Sequence, residues 1–219
     1  ETVKLGFNDI PAKAFKDCIN LTTLSLSDTV EKVGANAFAG TGITSVKLGP
    51  NLASIGGSEE GGAFQNCAAL TTVEFADNSV GAAVGQNAFK NCSSLVELLN
   101  APFTSIDRSA FYGSGITNIV ITTNVDTIKR KAFFGADELS TVYFVGTAPS
   151  TIEEGIFYGF DDLAVTNYVN KDHEAAWAPY IDGGKLTLKS KYTDSDSSTG
   201  TTQWMVAWYR YRGTIIILQ

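Results

Sequence analysis

The residues able to carry catalysis or hold a metal are few, and the three cysteines come first. Cys18, Cys67 and Cys92 lie too far apart for the C-x-x-C spacing of thiolate metal sites. An odd number of thiols cannot all pair, so we expect no disulfide framework, although a Cys67–Cys92 bridge stays open. The alternatives are a reactive thiol and a buried cysteine that acts as a small apolar residue.

A single histidine and one acidic loop could also take part in chemistry. His173 has no Ser or Cys partner at a recognisable spacing, so we expect a solvent-facing residue rather than a general base. Residues 194–200, DSDSSTG, begin like a calcium loop. However, Gly200 falls at the seventh position, and Met205 stands where the bidentate glutamate belongs. A polar turn is the better interpretation.

Two acidic pairs complete the set of candidates. Glu59-Glu60 lies in a glycine-flanked insertion and Glu153-Glu154 precedes a repeat, positions typical of solvated loop tips rather than of acid–base pairs. No G-x-G-x-x-G stretch follows a strand and opens a helix, so phosphate binding has no support. We therefore expect no catalytic, cofactor-binding or metal-binding residue, and no enzyme activity.

Composition excludes further classes of function. The chain has 219 residues, of which 44% are hydrophobic, so it can bury a substantial core. Its formal net charge of −7 argues against nucleic acid as a partner, because phosphate binding requires clustered Lys and Arg. No apolar run approaches the roughly 18 residues of a spanning helix, so we expect no transmembrane segment.

An Ala-Phe pair recurs along the chain and defines a repeat. Successive pairs are separated by 23, 26, 25, 22, 22 and 24 residues, a period typical of solenoids. The pairs are Ala14-Phe15, Ala37-Phe38, Ala63-Phe64, Ala88-Phe89, Ala110-Phe111 and Ala132-Phe133, with Ile156-Phe157 as a degenerate seventh.

Each unit ends in a short alternating run, such as Leu24-Ser25-Leu26 or Val73-Glu74-Phe75, which predicts a strand with one buried face. One unit cannot bury its apolar side alone, so we expect stacked coils with parallel strands and ladders of equivalent side chains. The position three residues after the phenylalanine holds Cys, Thr, Ser or Ala, and therefore requires small volume rather than thiol chemistry.

The unit is best preserved at Val84-Gly85, Ala88-Phe89, Cys92, Leu95 and Leu98, and it closely resembles the BspA-like class of leucine-rich repeats. The resemblance implies an α/β-type repeat solenoid: right-handed coils, a parallel β-sheet on one face, short strands and little regular helix. It also implies a bacterial cell-surface or secreted protein, located outside the cell, without enzyme activity. Some members are adhesins towards host matrix proteins.

Domain organisation follows from where the repeat decays. We expect a solenoid over residues 1–182, with residues 165–182 as a C-terminal cap that turns helical around Glu174 to Trp177. Residues 183–219 form a strand-rich extension outside the resemblance. The chain begins at a strand inside a unit, and whether it is a fragment of a longer array stays open.

The outward positions of the strands suggest where a partner binds. Their middle row runs Lys4, Ser25, Lys47, Glu74, Leu99, Val120, Tyr143. Charges and hydroxyls occupy the first half, whereas Leu99, Val120, Tyr143 and Val145 are expected to form a contiguous apolar patch. Either this patch recognises a partner, or the apolar tail with Trp204, Trp208 and Ile215 covers it or extends the sheet.

Two functions compete at this stage. The first is a non-enzymatic binding or adhesion module that recognises a protein or glycan, with a host-derived ligand as one option. The alternative is a structural spacer repeat within a larger surface protein. The glycine-rich insertions, residues 56–62 and 76–83, are a further candidate for recognition. Neither the ligand nor the oligomeric state follows from the sequence.

Overall fold

The polypeptide winds into a solenoid of stacked coils, as the repeat predicted. The structure, a computed structural model, describes residues 2–5, 8–99, 101–153, 155–157, 166–182, 185–186 and 204–209. Strands are numbered in chain order. One side of the solenoid begins with a five-stranded parallel sheet, in the order β1-β3-β5-β9-β11. Its strands are β1 (Thr2–Leu5), β3 (Thr23–Leu26), β5 (Ser45–Leu48), β9 (Thr72–Phe75) and β11 (Glu97–Leu99).

The predicted middle row of this sheet is confirmed rung by rung. Lys4 is the register partner of Ser25, Ser25 of Lys47, Lys47 of Glu74, and Glu74 of Leu99. The side chains of Lys47 and Glu74 form an ion pair across the rung, with Nζ and Oε1 2.9 Å apart. Equivalent residues of successive coils therefore form ladders on this face.

A second parallel sheet runs along another side of the solenoid. It has seven strands among the described residues, in the order β16-β14-β12-β10-β6-β4-β2. These short strands are β2 (Asp9–Ile10), β4 (Lys32–Val33), β6 (Ser54–Ile55), β10 (Ala82–Val84), β12 (Phe103–Ile106), β14 (Thr127–Ile128) and β16 (Thr151–Ile152). Each of these strands ends on the aliphatic residue that precedes the Ala-Phe pair, or the degenerate Ile-Phe pair, of its repeat.

The phenylalanines form a column through the core. Neighbouring rings stack with centroids 5.3 to 5.8 Å apart and interplanar angles of at most 23°. The column comprises Phe15, Phe38, Phe64, Phe89, Phe111, Phe133 and Phe157. The inner rings are buried between the coils above and below, whereas Phe15 at one end is half-buried, so the column fixes the spacing between coils.

Main-chain contacts explain why alanine precedes the phenylalanine. The N–H of Phe64 donates to the carbonyl of Ala88, and the N–H of Phe89 donates to that of Ala110, both at 2.8 Å. The alanines of the inner coils, such as Ala88 and Ala110, are fully buried, so a larger side chain there would push the coils apart. The residue before each alanine often has a positive φ, as at Asn36 (57°), and asparagine tolerates this left-handed conformation well.

The glycine-rich insertion forms a small hairpin at the side of the solenoid. Strands β7 (Gly57–Ser58) and β8 (Gly61–Gly62) pair antiparallel and carry Glu59 and Glu60 at the exposed tip. A residue of the following coil holds the hairpin, because the Asn87 side-chain amide donates to the Ser58 carbonyl at 3.0 Å. The Lys13 ammonium lies 3.7 Å from the Glu60 carboxylate.

The C-terminal part continues with a separate, six-stranded sheet, in the order β13-β15-β17-β20-β19-β18. Its strands are β13 (Asn118–Ile121), β15 (Thr141–Phe144), β17 (Thr166–Asn170), β18 (Ile181–Asp182), β19 (Lys185–Leu186) and β20 (Trp204–Tyr209). Of the two alternatives for the tail, the described residues support sheet extension, because β20 pairs in parallel with β17. Ile215 lies outside the described residues.

The predicted helical turn is confirmed in the segment between these strands. Helix α1 (Glu174–Trp177) is flanked by 3₁₀ turns at Lys171–His173 and Ala178–Tyr180. Trp177 is fully buried, its ring centroid lies 4.6 Å from that of Phe144, and its indole N–H donates to the Gly146 carbonyl at 3.0 Å. The tryptophan therefore closes the end of the apolar core at this coil.

The prediction of one continuous sheet along the front of the solenoid is wrong at one step. β11 and β13 occupy the same place in successive repeats, yet they end two different sheets and do not pair. The expected contiguous patch is therefore divided between Leu99 and Val120. In the sequence, Asn100 takes the place at which β3, β5 and β9 end on an apolar core residue, namely Leu26, Leu48 and Phe75.

The core compensates for that missing residue with Phe103. Its ring is buried and lies edge-on to Phe75, with centroids 5.6 Å apart, and 5.9 Å from Phe111. Ile106 lies eight positions after Leu98, whereas Ile128 lies nine positions after Ile119 in the next coil. The chain of this coil consequently turns into the core early, and its front strand is shortened to three residues.

Candidate functional site

The predicted candidates for chemistry remain scattered. His173 is half-buried at the start of α1 and makes no capping hydrogen bond. The Oε2 atom of Glu153 accepts from the main-chain N–H of Arg130 at 2.9 Å. Glu154 and residues 194–200 lie outside the described residues. In the described part of the chain, no group of three His, Cys, Asp or Glu side chains is arranged to hold a metal.

The cysteines occupy the small-volume position, and all three are free. Cys18 is exposed, whereas Cys67 and Cys92 are buried, and their thiols donate to the carbonyls of Phe38 and Phe64, both at 3.0 Å. Burial raises the pKa of both thiols, most strongly for Cys92, so they are protonated at neutral pH. The two buried cysteines therefore serve packing rather than nucleophilic chemistry.

Threonine and serine fill the same position in other coils, with different outcomes. The hydroxyl of Thr41 donates to the Phe38 carbonyl at 2.9 Å and lies 3.3 Å from the Cys67 sulfur. The hydroxyl of Ser114 is buried and has no hydrogen-bond partner among the described residues. The position accepts either a thiol or a hydroxyl because its requirement is steric.

The four predicted partner-binding residues lie on both sides of the break in the front face. Leu99, at the end of β11, is 45% exposed, and Val120, Tyr143 and Val145 are half-buried. Val120 and Tyr143 are register partners, and the N–H of Val145 donates to the Ile121 carbonyl at 3.0 Å. The structure thus places Val120 and Tyr143 on paired strands of the six-stranded sheet, with Val145 directly after β15, and sets Leu99 on the opposite edge of the gap.

The gap forms a groove with a volume of about 590 Å³. We call it the inter-sheet groove. One side is formed by Asp77, Leu98, Leu99, Ala101 and Pro102. The other side is formed by Asn118, Ile119, Val120, Thr122 and Asn124. Its size falls in the range of binding pockets, and its lining is mostly apolar with a few polar groups, a combination typical of ligand sites.

The two coils that border the groove stay joined at both of its ends. Before the strands, the N–H of Gly115 donates to the Cys92 carbonyl at 3.2 Å. After them, the N–H of Asp126 donates to the Thr104 carbonyl at 2.9 Å. The coils therefore part only along β11 and β13, and the groove has a fixed length.

Polar groups of the groove are few and specific. The Thr122 hydroxyl oxygen is buried and has no hydrogen-bond partner among the described residues. The Asn118 amide donates to the Thr117 hydroxyl at 3.2 Å. Asp77 supplies the charge of the groove, and none of the lining residues carries a positive charge. The lining is therefore mostly apolar and carries one carboxylate, that of Asp77, which interacts electrostatically with the Lys47 ammonium nearby.

Sequence reasoning identified Leu99 and Val120 but missed the groove between them. Leu98, Pro102 and Asn118 line it and were not singled out. A signal was present: Asn100 breaks the apolar column of the strands, and the interval before the next aliphatic position is one residue short. Its consequence depends on the neighbouring coil, which a single repeat does not reveal.

No helix in the described part of the chain is both long enough and apolar enough to cross a bilayer.

The sequence model for the BspA type leucine-rich-repeat region matches residues 8–99 and 59–173, with 6 copies. No curated protein is significantly similar in sequence.

Three solved structures resemble this fold. A leucine-rich-repeat protein of T. pallidum has a TM-score of 0.52 and 21% identity, and the match covers 83% of this chain and 84% of that one. A leucine-rich cell surface protein of Faecalibacterium prausnitzii A2-165 has a TM-score of 0.44 and 20% identity, with 77% and 63% covered. A leucine-rich-repeat protein of Bacteroides ovatus ATCC 8483 has a TM-score of 0.46 and 13% identity, with 77% and 55% covered.

This chain thus spans less than two thirds of the Faecalibacterium and Bacteroides proteins, and more of the T. pallidum protein. At such identities the likeness of the T. pallidum protein concerns the fold alone.

Proposed function

Since the chain belongs to the BspA-type leucine-rich-repeat family, we propose that it is a non-enzymatic recognition module that binds its partner at the inter-sheet groove. The observation that carries the proposal is the interruption between β11 and β13, which opens an apolar groove in an otherwise hydrogen-bonded face. A repeat scaffold gains nothing in stability from parting two of its strands, so a role in binding accounts for the groove better than a role in folding.

The predicted anchors fit this site. Leu99 and Val120 line the groove from opposite sides, and Tyr143 continues the same surface as the register partner of Val120. Val145 directly follows β15. Aromatic and aliphatic side chains at the centre of an interface carry most of its affinity. The partner is a protein or a glycan, which can be host-derived, and the module acts on the surface of a bacterium or after export.

The rival function is a structural spacer within a larger surface protein. A spacer requires only coil-to-coil stacking, and the exposed side chains of its face are exchangeable. The two functions therefore differ in whether substitutions in the groove change anything except stability.

An array of extracellular-matrix proteins and glycans, probed with the purified chain, separates the two functions. Binding partners found on the array are then tested with Leu99→Glu and Tyr143→Glu. Ile19→Glu is the matched control, because Ile19 is 71% exposed and lies in the first coils, away from the groove.

We expect Leu99→Glu to weaken binding by about tenfold or more, because it places a charge in an apolar contact. Tyr143→Glu should weaken binding less, and Ile19→Glu should leave it unchanged. If the unmodified chain binds no array component at high micromolar concentration, the spacer function is the correct one. If Ile19→Glu weakens binding as much as Leu99→Glu does, the partner contacts a different surface.

A further inference from the structure

We propose that the inter-sheet groove binds an extended peptide segment, whose main chain adds to the free edge of β13 and which carries a basic side chain towards Asp77. This inference rests on the proposed function, and it names the ligand class and the mode of binding. It follows from the direction of main-chain groups, from the charge of the groove and from its lining.

The free edge of β13 can be read from the pairing on its other side. The carbonyls of Thr117 and Ile121 accept from the N–H groups of Thr141 (3.4 Å) and Val145 (3.0 Å), so these residues direct their main-chain groups towards β15. Successive residues of a strand direct these groups to opposite edges. The N–H and C=O groups of Asn118 and Val120 therefore point into the groove.

The edge of β11 faces the same groove. The N–H of Glu97 donates to the Thr71 carbonyl at 3.1 Å, so Glu97 is bonded towards β9 and the main-chain groups of Leu98 point the other way. β13 thus presents the main-chain groups of Asn118 and Val120 to the groove, and β11 presents those of Leu98, and no strand of the described chain pairs with either edge. An extended peptide supplies the matching groups, which is the basis of recognition by strand addition.

Two features of the lining favour a peptide over a sugar. None of the lining residues is aromatic, so the groove offers no ring against which a sugar could stack. The apolar side chains of Leu98, Leu99, Pro102 and Val120 suit the alternating side chains of a strand, of which every second one faces the groove wall.

Charge selects the side chain that the ligand should carry. Asp77 is the charged residue among those that line the groove, and the chain as a whole has a net charge of −7. Lys47 forms an ion pair with Glu74 and also interacts electrostatically with Asp77, so two carboxylates share one ammonium at this end of the groove. A lysine or arginine of the ligand is therefore attracted there, and an acidic peptide is repelled. Binding should weaken as salt concentration rises.

The test uses a displayed library of short random linear peptides, selected on the full chain. Selected peptides are then synthesised with one N-methyl group at each successive position. We expect methylation to abolish binding at every second residue and to be tolerated at those between, because only alternate N–H groups of the peptide face β13. The protein stays unaltered in this experiment, so folding does not affect the outcome.

Variants of Val120 test the protein side. Val120→Pro removes the N–H that points into the groove, and proline is tolerated on a strand edge that lacks a pairing partner. We expect the dissociation constant of the complex between this variant and a selected peptide to rise about tenfold. One hydrogen bond is lost, and a peptide carbonyl is left unpaired. Val120→Ala retains the N–H and should change the constant less. The denaturation midpoint of each variant reports whether its fold is intact.

Several outcomes would overturn the proposal. One is a library that yields no binder sensitive to Leu99→Glu, and another is binding that N-methylation leaves unchanged at every position. A chain that self-associates, and that Val120→Pro renders monomeric, would identify a second copy as the occupant instead. A groove-dependent glycan hit on the array with no peptide binder would retain the proposed function and reject this inference. Failure of both screens would reject both.

Discussion

The rings of Phe89 and Phe111 stack 5.4 Å apart at an interplanar angle of 6°, between the same two coils whose front strands do not pair. The contact shows that the aromatic column holds these coils at the usual spacing although the front sheet is broken. The inter-sheet groove is therefore a local opening on one face and not a division of the solenoid. The stability of the groove walls depends on this column.

Phe111→Ala is expected to lower the free energy of unfolding by about 3–5 kcal/mol, because it removes a fully buried ring that contacts Phe89, Phe103 and Phe133. Urea unfolding monitored by circular dichroism measures the change. The neighbouring Tyr112 is half-buried, so Tyr112→Ala is a matched control and should cost about 1 kcal/mol. Equal costs at the two positions would contradict the central role of the column.

Ser114→Cys is expected to stabilise the protein by about 1 kcal/mol. The Ser114 hydroxyl is buried without a partner among the described residues, whereas Cys67 and Cys92 reach the phenylalanine carbonyl of the preceding coil from the same position. Thermal denaturation compares the variant with the unmodified chain. Ser114→Ala removes the unpaired hydroxyl without adding a donor and should stabilise less than cysteine does. A destabilised cysteine variant would indicate that the position in this coil is too small for sulfur.

Thiol labelling should distinguish the three cysteines. Cys18 is exposed, and Cys67 and Cys92 are buried and protonated, so a maleimide should modify one thiol per folded chain and three after denaturation. Intact-mass spectrometry counts the modified thiols. With Cys18→Ser, the folded chain should take up no label within the same time. Rapid labelling of that variant would mean that the core opens readily at these coils.

Alkaline pH should remove part of the stability that the buried thiols provide. Burial raises the pKa of Cys67 and Cys92 in the folded chain, so the unfolded chain loses these protons first as pH rises. The contribution is complete below the thiol pKa of the unfolded chain, about 8.5, and declines above it by up to about 1.4 kcal/mol per pH unit for each thiol.

The double variant Cys67→Ala/Cys92→Ala provides the comparison. The difference in unfolding free energy between it and the unmodified chain should be constant up to about pH 8 and shrink between about pH 9 and 10. Effects of lysine and tyrosine titration are common to both chains and cancel. A difference that stays constant across the whole range would show that the thiols are not shielded from water.

Much of the architecture could be predicted from the period alone. The recurring Ala-Phe pairs imply coils of nearly equal length, because only equivalent positions of stacked coils can bury such a pattern. The register of Lys47 with Glu74, and the column that contains Phe64 and Phe89, follow from that spacing. The prediction of a helical turn at Glu174–Trp177 was likewise correct.

The candidate site was predictable only in part. Alternation placed Leu99 and Val120 on the outer face, since strand geometry assigns sides without reference to any neighbour. Whether two strands pair depends on both coils at once. Sequence alone treated Glu97–Leu99 as one more rung of a ladder, although the residues that follow it direct the chain into the core.

The sequence by itself thus determined the repeat, the buried columns of side chains and the outward rows of side chains. All three depend on a short-range periodicity that recurs in each coil. Tertiary structure alone decided that β11 and β13 part and that Phe103 fills the core beneath them. The reason is physical, because hydrogen bonds between strands require that the two strand edges lie side by side. The segment from Leu98 to Ile106 is shortened, and β11 does not lie beside β13 of the next coil.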